Sequence, residues 1–354
     1  MRVVQFEIPQ VGRRLGIVSG DQVLDITSVE PQVQRVVDAF RFSRERQISL
    51  NAYLQKCLAK PGIQTLSYDG LLDAPSGGDA PFLHPPVDDL DPHRVLITGT
   101  GLTHTGSVKS RDEMHRQDAA KSSDSDQPTA PLTDSAKMFQ MGMQGGKPAA
   151  GERGVAPEWF FKGTGLNLIG TQAPLELPAF ALDGGEEPEL VGCYIIDDNG
   201  VPCRLGFAMG NEWSDHATEK INYLYLAPSK LRTCAIGPEL NTEFDFQNVA
   251  LRCTVWRNNE EIYDSGELFS GEQAMCHSLA NMEDHHFKYP QHRHPGDVHL
   301  HFFGTSKLSY STRTWKYQPG DKIRIEAPGF SGPLINWVTA GDESLTKPVA
   351  VEPA

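Results

Sequence analysis

The segment "GGEEPELVGCYIIDDNG", residues 184–200, places two carboxylates, Glu187 and Glu189, at the mouth of a hydrophobic run. The run over 190–196, closed by Asp197-Asp198-Asn199-Gly200, reads as a β-strand ending in a turn. Acids spaced i, i+2 on a strand point to one face. Two like charges side by side repel, and a cation between them relieves that repulsion. Magnesium is such a cation: it takes carboxylates together with waters and substrate oxygens. A third acid is then needed nearby. "GFAMGNEWSDH", residues 206–216, offers Glu212 at the tip of a strand ending at Gly210, with Ser214 placed to cap a helix beginning at Asp215. The competing reading of Glu187 and Glu189 is a solvated strand end, because charged surface is the default.

The chain that must position these acids has 354 residues, enough for one large domain or a large domain with a small one. With 39% hydrophobic and 22% charged residues it has the composition of a soluble globular protein. A net charge of −14 argues against a nucleic-acid surface, which needs a basic stripe. It leaves a small anionic substrate open, because local charge decides that. The start, "MRVVQFEIPQ", shows no secretory signal, and no apolar run reaches the length of a membrane span. The six cysteines are scattered without a CxxC pair, which fits neither a zinc ribbon nor a redox motif. They read as small core residues of a cytoplasmic protein with no nucleic-acid or membrane partner.

Residues 3–27 alternate short apolar runs with tight turns, and "SGDQ" supports a hairpin. Helical spacing follows over 31–59, at Val33, Val36, Val37 and Phe40 and again at Leu50, Tyr53 and Leu54. "DAPSGGDAPFLHPPVDDLDPH", residues 73–93, reads as a linker, and "RVLITGTG", residues 94–101, as a new strand. Residues 107–153 are polar, with a Ser/Asp/Pro/Gly middle, and read as a lid-like insertion. From residue 155 the pattern is β-rich, with a hairpin turning at Asn258-Asn259 and helices near 215–222 and 271–283. The two "GTG" stretches, 99–101 and 163–165, form no GxGxxG; they read as places where backbone approaches the site closely.

"EEPELVGCYIIDDNG", "LGFAMGNEWSDH" and "LAPSKLRTCAIGPEL" together resemble the core of the fumarylacetoacetate hydrolase superfamily. "EWFFKGTGLNLIG" resembles the family's Phe-Lys segment, and "YQPGDKIRIEAPGF" its late Pro-Gly-Asp strand. The likeness covers roughly residues 94–330, and the ordered set is specific where any one motif is weak. It implies an α+β, β-rich fold: a mixed β-roll of that family's C-terminal type over 91–340, a small N-terminal α/β domain over 1–90, and a loose tail over 341–354. It also implies a homodimer. A divalent metal, usually Mg2+ with Mn2+ or Ca2+ as substitutes, would be held by Glu187, Glu189 and Glu212. The substrate would be a 2-oxo acid. The metal polarises its 2-keto group and acidifies the C3 proton. Lys230 faces the developing enolate. Lys162 does likewise or binds the substrate carboxylate, unless it is a surface lysine.

The chain departs from the family in two places. Glu212 stands where Asp is common. The hydrolases carry a His-x-x-Glu dyad that activates water; in "GTGLTHTGSVKSRDEMH", His104 occupies the histidine place but Ser107 replaces the glutamate. Glu113 and His115 are candidate replacements. With "SRDEMH" and "HPGDVHLHFFGT", this pattern resembles the sugar-acid branch, the 2-keto-3-deoxy sugar acid dehydratases. The implied activity is Mg-dependent dehydration of a 2-keto-3-deoxypentonate to a 2,5-dioxo acid semialdehyde through a metal-bound enolate. Its roles would be proton transfer at His104 and Glu113 and enolate stabilisation at Lys230. Arg111 either clamps the substrate carboxylate or forms a helix-surface ion pair. The alternative activity is hydrolysis of a 2,4-dioxo acid to pyruvate and a second acid. A non-catalytic sugar-acid binder is a third reading, opposed by the cost of burying three charges. The histidines of 285–301 invite a zinc site, but they read rather as polar surface or as donors to a substrate hydroxyl.

Overall fold

A computed structural model describes residues 1–106 and 133–354. Arg111, Glu113, His115 and the first part of the lid-like insertion lie outside the described residues. Among the described residues, twelve strands form one mixed sheet. Its path runs Gln64–Ser67, Gln22–Asp25, Gly12–Ser19, Arg2–Ile8, Cys234–Asn241, Pro202–Asn211, Pro188–Ile196, Val298–Phe302, Val95–Gly101 and Glu158–Thr164. A second sheet of six strands packs against it, with Val249–Arg257, Lys322–Glu326 and Leu334–Ala340 at its centre. The β-rich α+β class expected from the sequence is the one observed.

Pro188–Ile196 is buried along its whole length, as an apolar strand covered on both faces must be. Val191, Cys193 and Ile195 enter one core with Val36, Ala39, Phe40 and Leu54 of the helices Val36–Glu45 and Leu50–Leu58. Leu190, Tyr194 and Ile196 enter the other with Val255, Ile323 and Leu334 of the second sheet. The strand is thus held on both sides, and its register against Pro202–Asn211 sets Glu189 opposite Gly210. That antiparallel pair is the element that positions the site.

Several local readings shift. The strands of residues 1–90 extend the same sheet, through the pairing of Arg2–Ile8 with Cys234–Asn241. Inside the linker-like stretch, Phe82 and Leu83 are buried and pair with Arg2–Ile8, and Gln5 donates to the Pro85 carbonyl at 2.8 Å. The helix expected over 271–283 runs Leu279–Phe287 instead, because Ser278 caps it by accepting from Asn281 N. The later part of the insertion holds the helix Asp134–Gly145, capped by Thr133. Asn258 and Asn259 turn the expected hairpin with positive φ. No helix among the described residues is long and apolar enough to cross a membrane.

Within the histidine-rich stretch His294 is exposed, but the other histidines are not polar surface. His286, His292, His299 and His301 are buried together, with ring centroids 4.8–5.8 Å apart in their contacting pairs. The indole of Trp159 can only donate, so His286 accepts at Nδ1 (3.2 Å). Neutral His286 then carries its proton on Nε2 and donates it to His299 Nδ1 at 2.9 Å. The four histidines form no group of three converging ligand atoms. Burial pulls His286 well below the ordinary imidazole range, and His299 and His301 to about 3. Unfolded histidine protonates near pH 6.5, so between there and about pH 3 the unfolded chain binds more protons than the folded one. Stability should therefore fall as pH drops through that window, by roughly 1 kcal/mol per pH unit for each such histidine. Urea midpoints at pH 7.5 and 5.5 measure the fall, which His299→Asn should reduce.

Candidate active site

The two strands that meet head to tail carry their acids at their free ends. Glu187 precedes Pro188–Ile196 and Glu212 follows Pro202–Asn211. The ladder continues past both: Glu212 N donates to the Glu187 carbonyl at 3.0 Å, and Glu187 N donates to Asn211 Oδ1 at 3.1 Å. Glu187, Glu189 and Glu212 are buried, and one carboxylate oxygen from each lies within 4.8 Å of the others. The solvated-strand-end reading is overturned.

Their hydrogen bonds leave two buried oxygens over. Glu187 Oε1 accepts from Lys230 Nζ and stands 2.9 Å from His216 Nε2. Glu212 Oε2 accepts from Lys230 Nζ at 3.0 Å, and Glu189 Oε2 accepts from Gly304 N at 2.7 Å. Glu189 Oε1 and Glu212 Oε1 are buried with no donor among the described residues. Orphaned carboxylate oxygens are costly, and a hard cation is the partner that such a donor set suits. The three acids therefore fit the divalent metal expected of them.

The electrostatics point the same way. Burial and the nearby Glu212 and Glu187 push Glu189 well above the usual carboxylate range. Burial pushes Glu212 up to about 7 even against the attraction of Lys230. Burial also works to raise Glu187, but Lys230 and His216 overcome it and hold that carboxyl well below its usual value. Burial opposes the charge on Lys230, and Glu187, Glu212 and Glu219 more than restore it, so its pKa is raised. The Lys230 ammonium also lies 4.8 Å from the centroid of the Phe160 ring.

A cavity of about 30 Å³ adjoins the carboxylates, walled by Phe160, Glu187, Glu212, Glu219, Lys230 and Thr305 among others. A larger cleft, about 1270 Å³, lies elsewhere, between the helix Val36–Glu45 and the turn at Asp197–Asn199. Among the described residues it holds no converging ligand set, and Arg44 on its wall is paired with Asp197 at 2.7 Å.

The other sequence-predicted residues fall differently. Lys162 is fully buried, not a surface lysine; it donates to the carbonyl of Trp213 and supports the backbone beside Glu212, without lining the cavity. Burial lowers its pKa against the pull of Glu212. His104 is buried in a separate groove with Gly106, Ser306 and Lys307. Its Nδ1 is 2.9 Å from Thr103 Oγ1, and burial pulls its pKa to about 4, so it is neutral at pH 7. The structure does not bring it to the cavity wall. Ser214 turns its hydroxyl to the Glu212 carbonyl, and Asp215 caps the helix instead.

His216 and Glu219 line the cavity without having been singled out, and Glu158 and Tyr223 stand behind it. The strand Glu158–Thr164 buries Glu158, Phe160 and Lys162 on one face. Glu158 stands opposite Gly101, and a Cβ on Gly101 would lie 1.9 Å from Glu158 Oε1. Gly101 lines the cavity, so the Glu158 carboxylate stands behind its wall; Tyr223 OH donates to it at 2.6 Å. The available signal was the i, i+4 spacing of Glu158 from Lys162 on a strand.

The first "GTG" does allow a close backbone approach. A Cβ at Gly99 would meet the Phe160 ring at 2.6 Å and Glu212 Oε1 at 2.9 Å. Gly99→Ala should therefore fold with a loss of about 1–3 kcal/mol while displacing the Glu212 carboxylate. Weakened Mn2+ binding in a titration of the folded variant is the expected result.

No protein-family model matches the chain, and no curated protein matches it. Solved structures do match. A 2-keto-3-deoxy-D-arabinonate dehydratase complexed with magnesium and 2,5-dioxopentanoate superposes with a TM-score of 0.67 at 16% identity, over 96% of this chain and 99% of its own. A fumarylacetoacetate hydrolase from psychrophilic Exiguobacterium antarcticum gives 0.57 at 18%, over 96% and 99%. A 5-carboxymethyl-2-hydroxymuconate delta-isomerase from Mycobacterium smegmatis gives 0.54 at 16%, over 96% and 100%. Such identities establish shape and not activity. Over nearly its whole length, the chain has the fold of the fumarylacetoacetate hydrolase superfamily.

Proposed function

We propose that this chain is a magnesium-dependent hydro-lyase that removes water from a 2-keto-3-deoxypentonate and leaves a 2,5-dioxo acid semialdehyde. One observation carries the reading: Glu189 Oε1 and Glu212 Oε1 are buried and, among the described residues, unpartnered beside the Lys230 ammonium. The fold supports it, being shared with a dehydratase solved with magnesium and 2,5-dioxopentanoate. On this reading the enzyme is cytoplasmic, as its scattered cysteines suggest, homodimeric, as the resemblance implies, and serves sugar-acid breakdown.

Glu187, Glu189 and Glu212 would hold the cation. When bound, a divalent cation supplies a Lewis acid for the 2-keto oxygen and makes the C3 proton more acidic. Lys230, kept charged by its carboxylate neighbours, faces the negative charge that develops as that proton leaves. The proton needs an acceptor, and the role is assigned to Glu158, which stands behind Gly101 of the cavity wall and is held by Tyr223. The same carboxyl, once protonated, can donate to the departing C4 hydroxyl, so proton and hydroxyl leave as water. Proton shifts then complete the aldehyde at C5. Hydrolysis of a 2,4-dioxo acid needs an activated water instead. His104, the histidine expected to move protons on either reading, lies in another groove, so its place does not decide between the two.

Proton NMR of the protein with each substrate, with and without Mg2+, tests the reading. The 2-keto-3-deoxypentonate should yield the semialdehyde only with metal. Consumption of the 2,4-dioxo acid alone, giving pyruvate, would make the protein a hydrolase. Glu158→Gln should lower kcat by about 10²- to 10⁴-fold with Mn2+ binding intact. A wild-type kcat would remove Glu158 from the mechanism.

A further inference from the structure

Glu186 precedes the first acid of the cluster and takes no part in it. It is buried, and its carboxylate accepts three hydrogen bonds. Ser309 N donates to Oε1, and the hydroxyls of Ser309 and Tyr317 donate to Oε2, each at 2.7 Å. All three donors are neutral, and all come from the segment that leaves the strand Val298–Phe302.

That segment meets the site at two further points. Gly304 N holds Glu189 Oε2 at 2.7 Å, and Thr305 and Leu308 wall the cavity. Gly304 has φ +92°, and a Cβ there would lie 2.3 Å from Thr103 Oγ1, so only glycine fits. Farther along, Arg313 donates to Asp183 at 3.0 Å and to the Gly184 carbonyl at 2.6 Å. The segment thus crosses from the sheet over the carboxylates and is tied back to the residues immediately before them. A backbone amide orients a carboxylate only as firmly as its own loop is held.

We propose that Glu186 is a positioning residue for the cation site: it clamps the 304–317 segment, and so fixes the Gly304 N–H that orients Glu189 and the wall formed by Thr305 and Leu308. The inference rests on the reading of Glu187, Glu189 and Glu212 as cation ligands. Residues that orient ligands from behind change metal affinity by about 10- to 100-fold when they are lost. Glutamine at 186 can still accept from Ser309 N, but its amide N–H groups would face the two hydroxyls, which must turn from donating to accepting, and the charge that strengthens all three bonds is lost, so the clamp loosens.

The test is Mn2+ titration of the full chain, followed by electron paramagnetic resonance, with urea unfolding in parallel. Glu186→Gln should weaken Mn2+ binding by about 10- to 100-fold. Tyr317→Phe, which keeps both Ser309 donors, should weaken it in the same direction by less, and carries the test if Glu186→Gln does not fold. Asp25→Asn breaks the buried Arg14–Asp25 pair near the far edge of the sheet and serves as the stability control. It should lower the urea midpoint and leave Mn2+ affinity unchanged. Wild-type Mn2+ affinity in the folded Glu186 and Tyr317 variants, with only the urea midpoint lowered, would overturn the proposal. Failure of the wild-type chain to bind Mn2+ at all would overturn the cation-site reading, and the proposal with it.

Discussion

Three carboxylates buried within reach of one another are the constraint on which the rest of this molecule depends. Each carries a desolvation cost, and their mutual repulsion adds to it. A chain meets that cost only if the backbone gives the side chains no other place to go. Here the strands Pro188–Ile196 and Pro202–Asn211 run through both hydrophobic cores, and their register is set by apolar packing on two faces. The packing of the strand bodies forces the acids together at the strand ends.

What surrounds the acids divides their charge unequally. Lys230 and His216 serve Glu187, Lys230 alone reaches Glu212, and a backbone amide serves Glu189. The same lysine lies against the Phe160 ring, and the strand bearing that ring also brings Glu158 and Lys162 inward. One basic side chain therefore links the acids to the wall where a substrate would sit. The site is assembled from the sheet centre, its edge strand, a short helical segment and the loop after Val298–Phe302.

Much of this was legible in the residues. The i, i+2 spacing of Glu187 and Glu189, the position of Glu212 after a strand, and the Ser-Lys segment containing Lys230 identified four members of the cluster. Glu158 was not legible, because its strand inverts the usual pattern. Trp159 and Phe161 are 40% and 43% exposed while Glu158 and Lys162 are buried, so hydropathy alternation assigns the faces backwards. The histidine-rich stretch misled for a related reason. A neutral imidazole packs as a small aromatic ring, and residue type alone does not reveal its protonation state. Glu186 looked like one more charge beside Glu187, and its donors lie more than a hundred residues away.

Spacing and hydropathy act over a few residues, and at that range the sequence determined a great deal: which runs become strands, where they turn, and that acids cap the ends of two of them. Tertiary structure decided which groups face those acids. Only the folded sheet sets Gly99 against Glu212, Glu158 against Gly101, and Ser309 against Glu186. It also moved His104 to a different groove. The division follows from the physics. Backbone periodicity is a local property, whereas charge burial depends on partners that distant segments bring to within hydrogen-bonding distance.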